Sequence, residues 1–175
     1  MQLHVAEIET PLGNLAFAAT EGALLALEFP DGDDNQLARL AQRLGATRVI
    51  GTDPGDHAAR LKAYFGGDLD AIDAIPVAPR GTAFQCAVWT ALRRIRRGTT
   101  WSYRELAAAV GRPRAVRAVG AANGANPIAL VLPCHRVIGA DGSLTGYGGG
   151  LWRKQLLLDL ERGEQTALAL VPGQA

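Results

Sequence analysis

Cysteine is scarce in this chain. Cys86 and Cys134 are the two thiols in 175 residues, too few for a disulfide scaffold or a cysteine-rich structural zinc site, so each is weighed singly. Long hydrophobic runs are also missing: no stretch approaches the about 20 apolar residues of a membrane span. The opening MQLHVAEIET has no basic segment leading into an apolar one, so the cytoplasm is the expected compartment and no membrane partner is expected. Internal repeats and low-complexity tracts are absent. With 48% hydrophobic and 20% charged residues, the chain reads as globular, with a buried core and one or two small domains.

Acidic residues are scarce in one stretch. Residues 1–79 carry 12 acids against 5 bases, a net of −7, whereas residues 80–126 carry nine arginines against Glu105 alone, a net of +8. Residues 127–175 are balanced at 4 against 4, so the overall charge of +1 hides a strong segregation. A block of arginines with almost no compensating acid is the electrostatic footprint of a phosphate-binding surface. Charge alone equally allows the block to dock on the acidic half.

What is present in the first part is alternation. LHVAEIET and LAFAAT flank a turn at Pro11–Asn14, and GALLALEF follows, which together predict a small β-meander. A polar loop at 31–35 precedes two helical segments, QLARLAQRLG and HAARLKAYFGG, with Gly45 and Gly66 as stops. Residues 67–79, rich in Asp and Pro and without periodicity, read as a linker. From Gly81 a helix is expected, with Phe84, Val88, Leu92 and Ile95 on one apolar stripe. Cys86 lies roughly 200° around from Phe84 at about 100° per residue, and is assigned no role.

Ser102-Tyr103-Arg104-Glu105 is a capping box opening the short helix YRELAAAV, which Gly111 stops. Pro113 suits the first turn of a second helix, RAVRAVGAAN, ending at Asn123-Gly124. Two helices joined by a tight turn make a helix-turn-helix candidate. On the second helix Arg114, Arg117, Ala118 and Ala121 share one face, and Val116, Val119 and Gly120 lie opposite. An outward surface of methyl groups and arginine lacks most side chains that read the major groove. It suits minor-groove or shape-based binding with little sequence preference.

The segment from Asn126-Pro127 to Val137 is the most informative. It delivers Cys134 directly after a proline and directly before His135. A thiol is a strong nucleophile only as thiolate; an imidazole, directly or through a water, can take its proton while Arg136 adds positive potential. A Cys-His pair by itself is weak evidence. The string PCHRV, with Asn126-Pro127 eight residues upstream of the cysteine and Gly146-Tyr147-Gly148-Gly149-Gly150-Leu151 downstream, carries more. It closely resembles the active site of the O6-alkylguanine-DNA alkyltransferases. The resemblance runs from about Gly81 to Glu161 and includes FQxxVW, SYxELA, RAVGAANGxNP, PCHRVIG and GYGGGLxRK. Trp101 and Arg96-Arg97 depart from the family pattern.

The resemblance implies an α+β protein: a small N-terminal α/β domain of RNase H-like type over 1–76, a mostly helical, winged-helix-like catalytic domain over 77–165, and a tail over 166–175. It implies methylated-DNA–protein-cysteine S-methyltransferase activity, in which Cys134 irreversibly accepts the alkyl group of O6-alkylguanine, with O4-alkylthymine as a second candidate substrate. Neither metal nor cofactor is needed. The implied partner is double-stranded DNA carrying the lesion, met by a monomer, with cooperative assembly on DNA left open. His135 corresponds to the water-mediated base, Glu161 to the acid orienting it and Asn126 to the asparagine bracing the turn. Because the target oxygen lies inside the duplex, the base must be flipped out. Arg117 corresponds to the arginine filling the vacated stack and Tyr103, preceded by Ser102, to the tyrosine rotating the nucleotide at its 3′ phosphate. Arg114, Ala118 and Ala121 complete the implied DNA face, and Tyr147, Gly148, Val137 and Lys154 the substrate pocket. Two rivals stand beside this reading. A recognition-only relative would lack the cysteine, and a thiol-sensing regulator would need dimers on palindromes, which the alanine-rich face does not suit.

Overall fold

The computed structural model describes residues 1–31 and 36–164. The expected tail at 166–175 and most of the polar loop at 31–35 lie outside the described residues. The chain divides into two compact units, Met1–Pro79 and Arg80–Ala175.

In the first unit the alternating segments form β1 (Gln2–Thr10), β2 (Gly13–Ala19) and β3 (Leu24–Glu28), an antiparallel meander. The side chain of Thr10 closes the first hairpin: its Oγ1 donates to the Gly13 carbonyl at 2.6 Å and accepts the Leu12 N–H at 3.1 Å. Gly13 takes φ 102°, a conformation glycine adopts without steric cost. A fourth strand, β4 (Thr47–Ile50), pairs parallel to β1 and gives the order β3-β2-β1-β4. No sequence pattern announced it, because as a sheet-edge strand it buries almost none of its side chains.

Alternation puts successive β2 side chains on opposite faces. Ala16 and Ala18 join Leu3, Leu25 and Ala26 under Leu37, Leu40 and Ala41 of α1 (Gln36–Leu44). Phe17 on the other face meets the ring of His57, at the start of α2 (His57–Phe65), at 5.9 Å between centroids. Gly45 ends α1 with φ 56°. After α2 the left-handed residue is Gly67, φ 107°, not Gly66, which stays right-handed at φ −81°. Residues 67–79 are not a linker. Ile72 and Ile75 are buried, and the Leu24 N–H and carbonyl bond Pro76 and Ala78 alongside β3. Two buried isoleucines, each stabilising by about 1.5–3 kcal/mol, make this segment part of the core.

The second unit opens with α3 (Ala83–Leu92), capped by a Thr82–Gln85 box. Its buried stripe is Val88, Trp89, Ala91 and Leu92, continued by Ile95; Phe84 is only half-buried. The indole of Trp89 donates to the Ala122 carbonyl at 2.8 Å, tying α3 to α5 (Val116–Gly124). Cys86 is half-buried, off this stripe, its thiol 3.8 Å from the Gly81 carbonyl. Strand β5 (Trp101–Ser102) leads into α4 (Tyr103–Ala109). Its capping box is formed: Ser102 Oγ accepts the Glu105 N–H at 3.2 Å, and Glu105 Oε2 accepts the Ser102 N–H at 2.6 Å. Ser102→Ala is therefore expected to lower unfolding stability by about 1 kcal/mol, read as a lower urea midpoint with unchanged slope.

Candidate active site

After α5 the chain is folded by one side chain. Asn126 accepts the Ile128 N–H on Oδ1 at 3.0 Å and donates Nδ2 to the Leu132 carbonyl at 2.7 Å. Between them Ile128, Leu130 and Leu132 are buried, and Leu130 is held at φ 68°. That left-handed conformation costs a non-glycine residue about 1–2 kcal/mol, which burial of the leucine offsets. The apolar run is thus a knot of turns that aims the next residues inward. Cys134–Arg136 form one 3-10 turn, and β6 (Val137–Ile138) then pairs parallel with β5, Trp101 facing Val137 and Ser102 facing Ile138. This two-stranded ribbon sets the start of α4 beside the cysteine.

Cys134 is 9% exposed. Burial pushes its thiol pKa up; the Asn126 amide hydrogen bond, the Lys154 charge and nearby backbone amides pull the other way without cancelling it. The resting thiol is protonated at neutral pH and needs a base. His135 is fully buried, and its Nε2 lies 2.9 Å from Oε1 of Glu161, the last residue of α6 (Leu151–Glu161). A carboxylate only accepts, so Nε2 carries the hydrogen of this bond, and the other ring nitrogen is Nδ1. That Nδ1 is buried and bonded to no protein group.

Glu161 is held from a second side. Arg136 donates Nε to Oε2 at 2.9 Å and Nη2 to Oε1 at 2.8 Å, while Nη1 donates to the Ile95 carbonyl at 2.7 Å. Burial alone would raise the Glu161 pKa; His135 and the Arg136 fork more than reverse this and hold it well below the usual carboxylate range. The expected role of Arg136, positive potential at the thiol, is corrected by this geometry, because its guanidinium is committed to Glu161. Arg162, next to Glu161 in the chain, pairs with Asp159 at 3.9 Å.

The loop before α6 forms the other wall. Lys154 is fully buried, and its Nζ donates to the Thr145 carbonyl at 2.8 Å and reaches that of Gly146 at 3.4 Å. The Thr145 carbonyl also accepts the Tyr103 hydroxyl at 3.1 Å. Thr145 thereby joins the first residue of α4 to the lysine whose charge faces the thiol. Arg153 donates to the Gly149 carbonyl at 2.9 Å and stacks on Trp152. The Tyr147 hydroxyl is buried without a hydrogen-bond partner; burial first, and the Cys134 charge second, raise its pKa well above 10, so it remains a donor. Gly148 is exposed at the loop surface.

Cys134, His135, Glu161, Asn126, Lys154 and Tyr147 are therefore brought together, and Tyr103 is tied to Lys154 through the Thr145 carbonyl. Arg117, Ala118 and Ala121 project into solvent from α5, while Val119, Ala122 and Asn123 face inward. Arg114 is not on that helix. The Ala115 N–H bonds the Arg112 carbonyl at 2.8 Å, so Pro113 serves as the second residue of a tight turn and α5 begins only at Val116. The Ser102 hydroxyl is occupied in capping. Val137 is fully buried and is held in the β5–β6 ribbon. Eight of the nine arginines in 80–126 are exposed and Arg97 is half-buried. Arg94 lies over the ring of Trp101, 5.9 Å from its centroid. The parts that sequence reasoning missed, the Arg136 clamp, the Ile95 carbonyl and Thr145, join residues far apart in the chain and carry no local signal.

Residues 3–79 match the family model described as 6-O-methylguanine DNA methyltransferase, ribonuclease-like domain, and residues 83–163 match its DNA binding domain. Methylated-DNA–protein-cysteine methyltransferase of Salmonella typhimurium is 50% identical over 156 residues, 87% of this chain and 91% of that protein. The protein of the same name from Mycobacterium tuberculosis strain H37Rv is 45% identical over 169 residues, 94% of this chain and 96% of that one. Among solved structures, Mycobacterium tuberculosis OGT in complex with DNA superposes with a TM-score of 0.79 at 41% identity, covering 95% of this chain and 99% of that one. These agree with the α+β, two-domain reading and with its ribonuclease-like first part. With both family models matched in order along nearly its whole length, the chain belongs to the 6-O-methylguanine DNA methyltransferase family.

Proposed function

We propose that this chain, as a methylated-DNA–protein-cysteine methyltransferase, repairs DNA by moving the alkyl group of O6-alkylguanine onto Sγ of Cys134, once per molecule. The observation that carries this is the buried thiol of Cys134 beside a His135 whose Nε2 is held by Glu161 and whose Nδ1 has no protein partner. His135 takes the thiol proton through a bridging water. The S–C bond forms as the C–O6 bond breaks, its electron pair stays on guanine, and guanine takes up a proton to become the ordinary base. Lys154 stabilises the thiolate, and the Tyr147 hydroxyl donates within the pocket to the departing guanine. A thioether is not a leaving group under these conditions, so the reaction stops after one turnover.

The exposed face of Arg117, Ala118 and Ala121 enters the minor groove with little sequence preference, and Arg117 fills the stack left by the flipped base. Tyr103 acts on the nucleotide's phosphate, and Arg114 contacts the backbone from the turn ahead of α5. The chain meets its lesion as a monomer. Among the described residues no helix is long and apolar enough to cross a membrane.

Intact-mass measurement after mixing with duplex DNA bearing one O6-methylguanine, followed by peptide mapping, tests the assignment. One methyl replacing hydrogen on Cys134 is expected; bound lesion DNA without any mass gain would replace transfer by recognition alone. Arg117→Ala is expected to slow reaction with the duplex at least about tenfold, since flipping costs a few kcal/mol, while sparing reaction with a free O6-alkylguanine base. Equal loss on both substrates would remove the flipping role.

A further inference from the structure

We infer that Arg136 is a positioning residue for alkyl transfer: anchored on the Ile95 carbonyl, its guanidinium clamps both oxygens of Glu161 and keeps the Glu161–His135 pair one proton short, ready to take the thiol proton. This rests on the proposed function, in which Cys134 yields its proton towards His135.

The geometry is that of a fixed charge. Two of the guanidinium's donors go to Glu161, at 2.9 and 2.8 Å, and a third goes to Ile95 at 2.7 Å. The side chains of His135 and Glu161 are wholly buried and that of Arg136 is 5% exposed. Arginine does not lose its proton in a protein, and its planar fork matches a carboxylate. Glu161 accepts at least three charge-assisted or imidazole hydrogen bonds on its two oxygens. Wherever an added proton sat on the pair, on the carboxylate or as imidazolium, it would face the guanidinium across a few ångströms in a medium that screens little. Arg136 therefore sets how basic the pair is.

The other ionisable groups around the site are Cys134 on the same turn, Tyr147 in the loop, and Lys154 and Arg153 on α6. Lys154 is tied to loop carbonyls and acts on the thiol itself. None of these four is altered when Arg136 is replaced. Removing the Arg136 charge should let the pair hold a proton at higher pH, and a protonated pair cannot accept one from Cys134.

The test is the pH dependence of alkyl transfer from free O6-benzylguanine, which keeps DNA binding out of the measurement. In Arg136→Gln the acid limb of the rate profile is expected to move up by about one pH unit or more, with the greatest loss on the acid side. Arg136→Lys, which keeps the charge, is expected to leave that limb near the parent's. A uniform rate loss in Arg136→Gln at every pH, or an equal shift in Arg136→Lys, would overturn the inference. Should Arg136→Gln not fold, nitrogen NMR of His135 in the unsubstituted protein decides. The neutral tautomer with hydrogen on Nε2 at pH 7 supports the clamp, and a doubly protonated ring at that pH overturns it. A parent chain that alkylates nowhere would instead sink the proposed function, an outcome distinct from an unmoved acid limb.

Discussion

Cys134→Ala is expected to abolish alkyl transfer completely while lesion-bearing duplex is still bound. The variant should show no mass gain where the parent gains one methyl, and its affinity for DNA should match the parent's at equal salt. The physical ground is that Cys134 supplies the reacting atom and nothing on the DNA face. The exposed arginines and the small face of α5 lie on other elements, and their contribution follows phosphate electrostatics, falling steeply with salt. Cys86 offers no rescue, since it lies in α3 outside the assembly around His135 and Lys154. Residual transfer located on Cys86, or undiminished transfer in the variant, would refute Cys134 as the acceptor. The alanine also removes a buried sulfur that contributes to packing, so thermal unfolding should be recorded beside the activity.

Glu161→Gln should lose most transfer and, separately, about 3–5 kcal/mol of stability at neutral pH. The amide leaves Arg136 as a buried cation without its counter-charge and offers His135 either oxygen or nitrogen, so the imidazole orientation is no longer imposed. The stability loss has a pH signature. The Glu161 carboxyl is held below its ordinary range in the folded chain, so its stabilising contribution is complete above an unfolded-state pKa of about 4.3. It fades as the pH falls below that value towards the folded one. The stability gap between parent and Glu161→Gln should therefore be widest near neutrality and narrow below about pH 4. Urea unfolding at pH 7 and pH 3.5 measures it. An equal gap at both pH values would mean that shape, and not the buried ion pair, accounts for the loss.

Much of this chain was legible before folding because the relevant forces act over a few residues. Alternation and the Pro11-Leu12-Gly13 turn announced the hairpin, and the structure pairs Thr10 with Gly13 across it. Ser102 and Glu105 announced the start of α4 through two hydrogen bonds that span three positions. Where such a short-range rule had a competitor, it failed. Pro113 suits a helical first turn and a tight turn alike, and the Arg112–Ala115 bond selects the second. The Asp- and Pro-rich stretch 67–79 looks like linker by composition, yet Ile72 and Ile75 are drawn into the core. Strand β4 escaped notice because an edge strand with exposed side chains carries no apolar period.

By itself the sequence determined the chemistry on offer: a nucleophile next to its base in Cys134-His135, a tyrosine in the flanking loop with a lysine in the helix that follows it, an arginine-rich segment, and a short helix pair with a small outward face. Those are properties of residue type and spacing. Only the tertiary structure decided what each group is free to do. It assigned Arg136 to Glu161 and not to the thiol, 25 residues apart in the chain and 2.8 Å apart in space. It gave one Thr145 carbonyl to both Tyr103 and Lys154. Buried charges must find partners wherever the fold brings them, because the cost of leaving one unpaired exceeds any local preference. Such pairings are settled by packing between distant elements, which composition and periodicity do not encode.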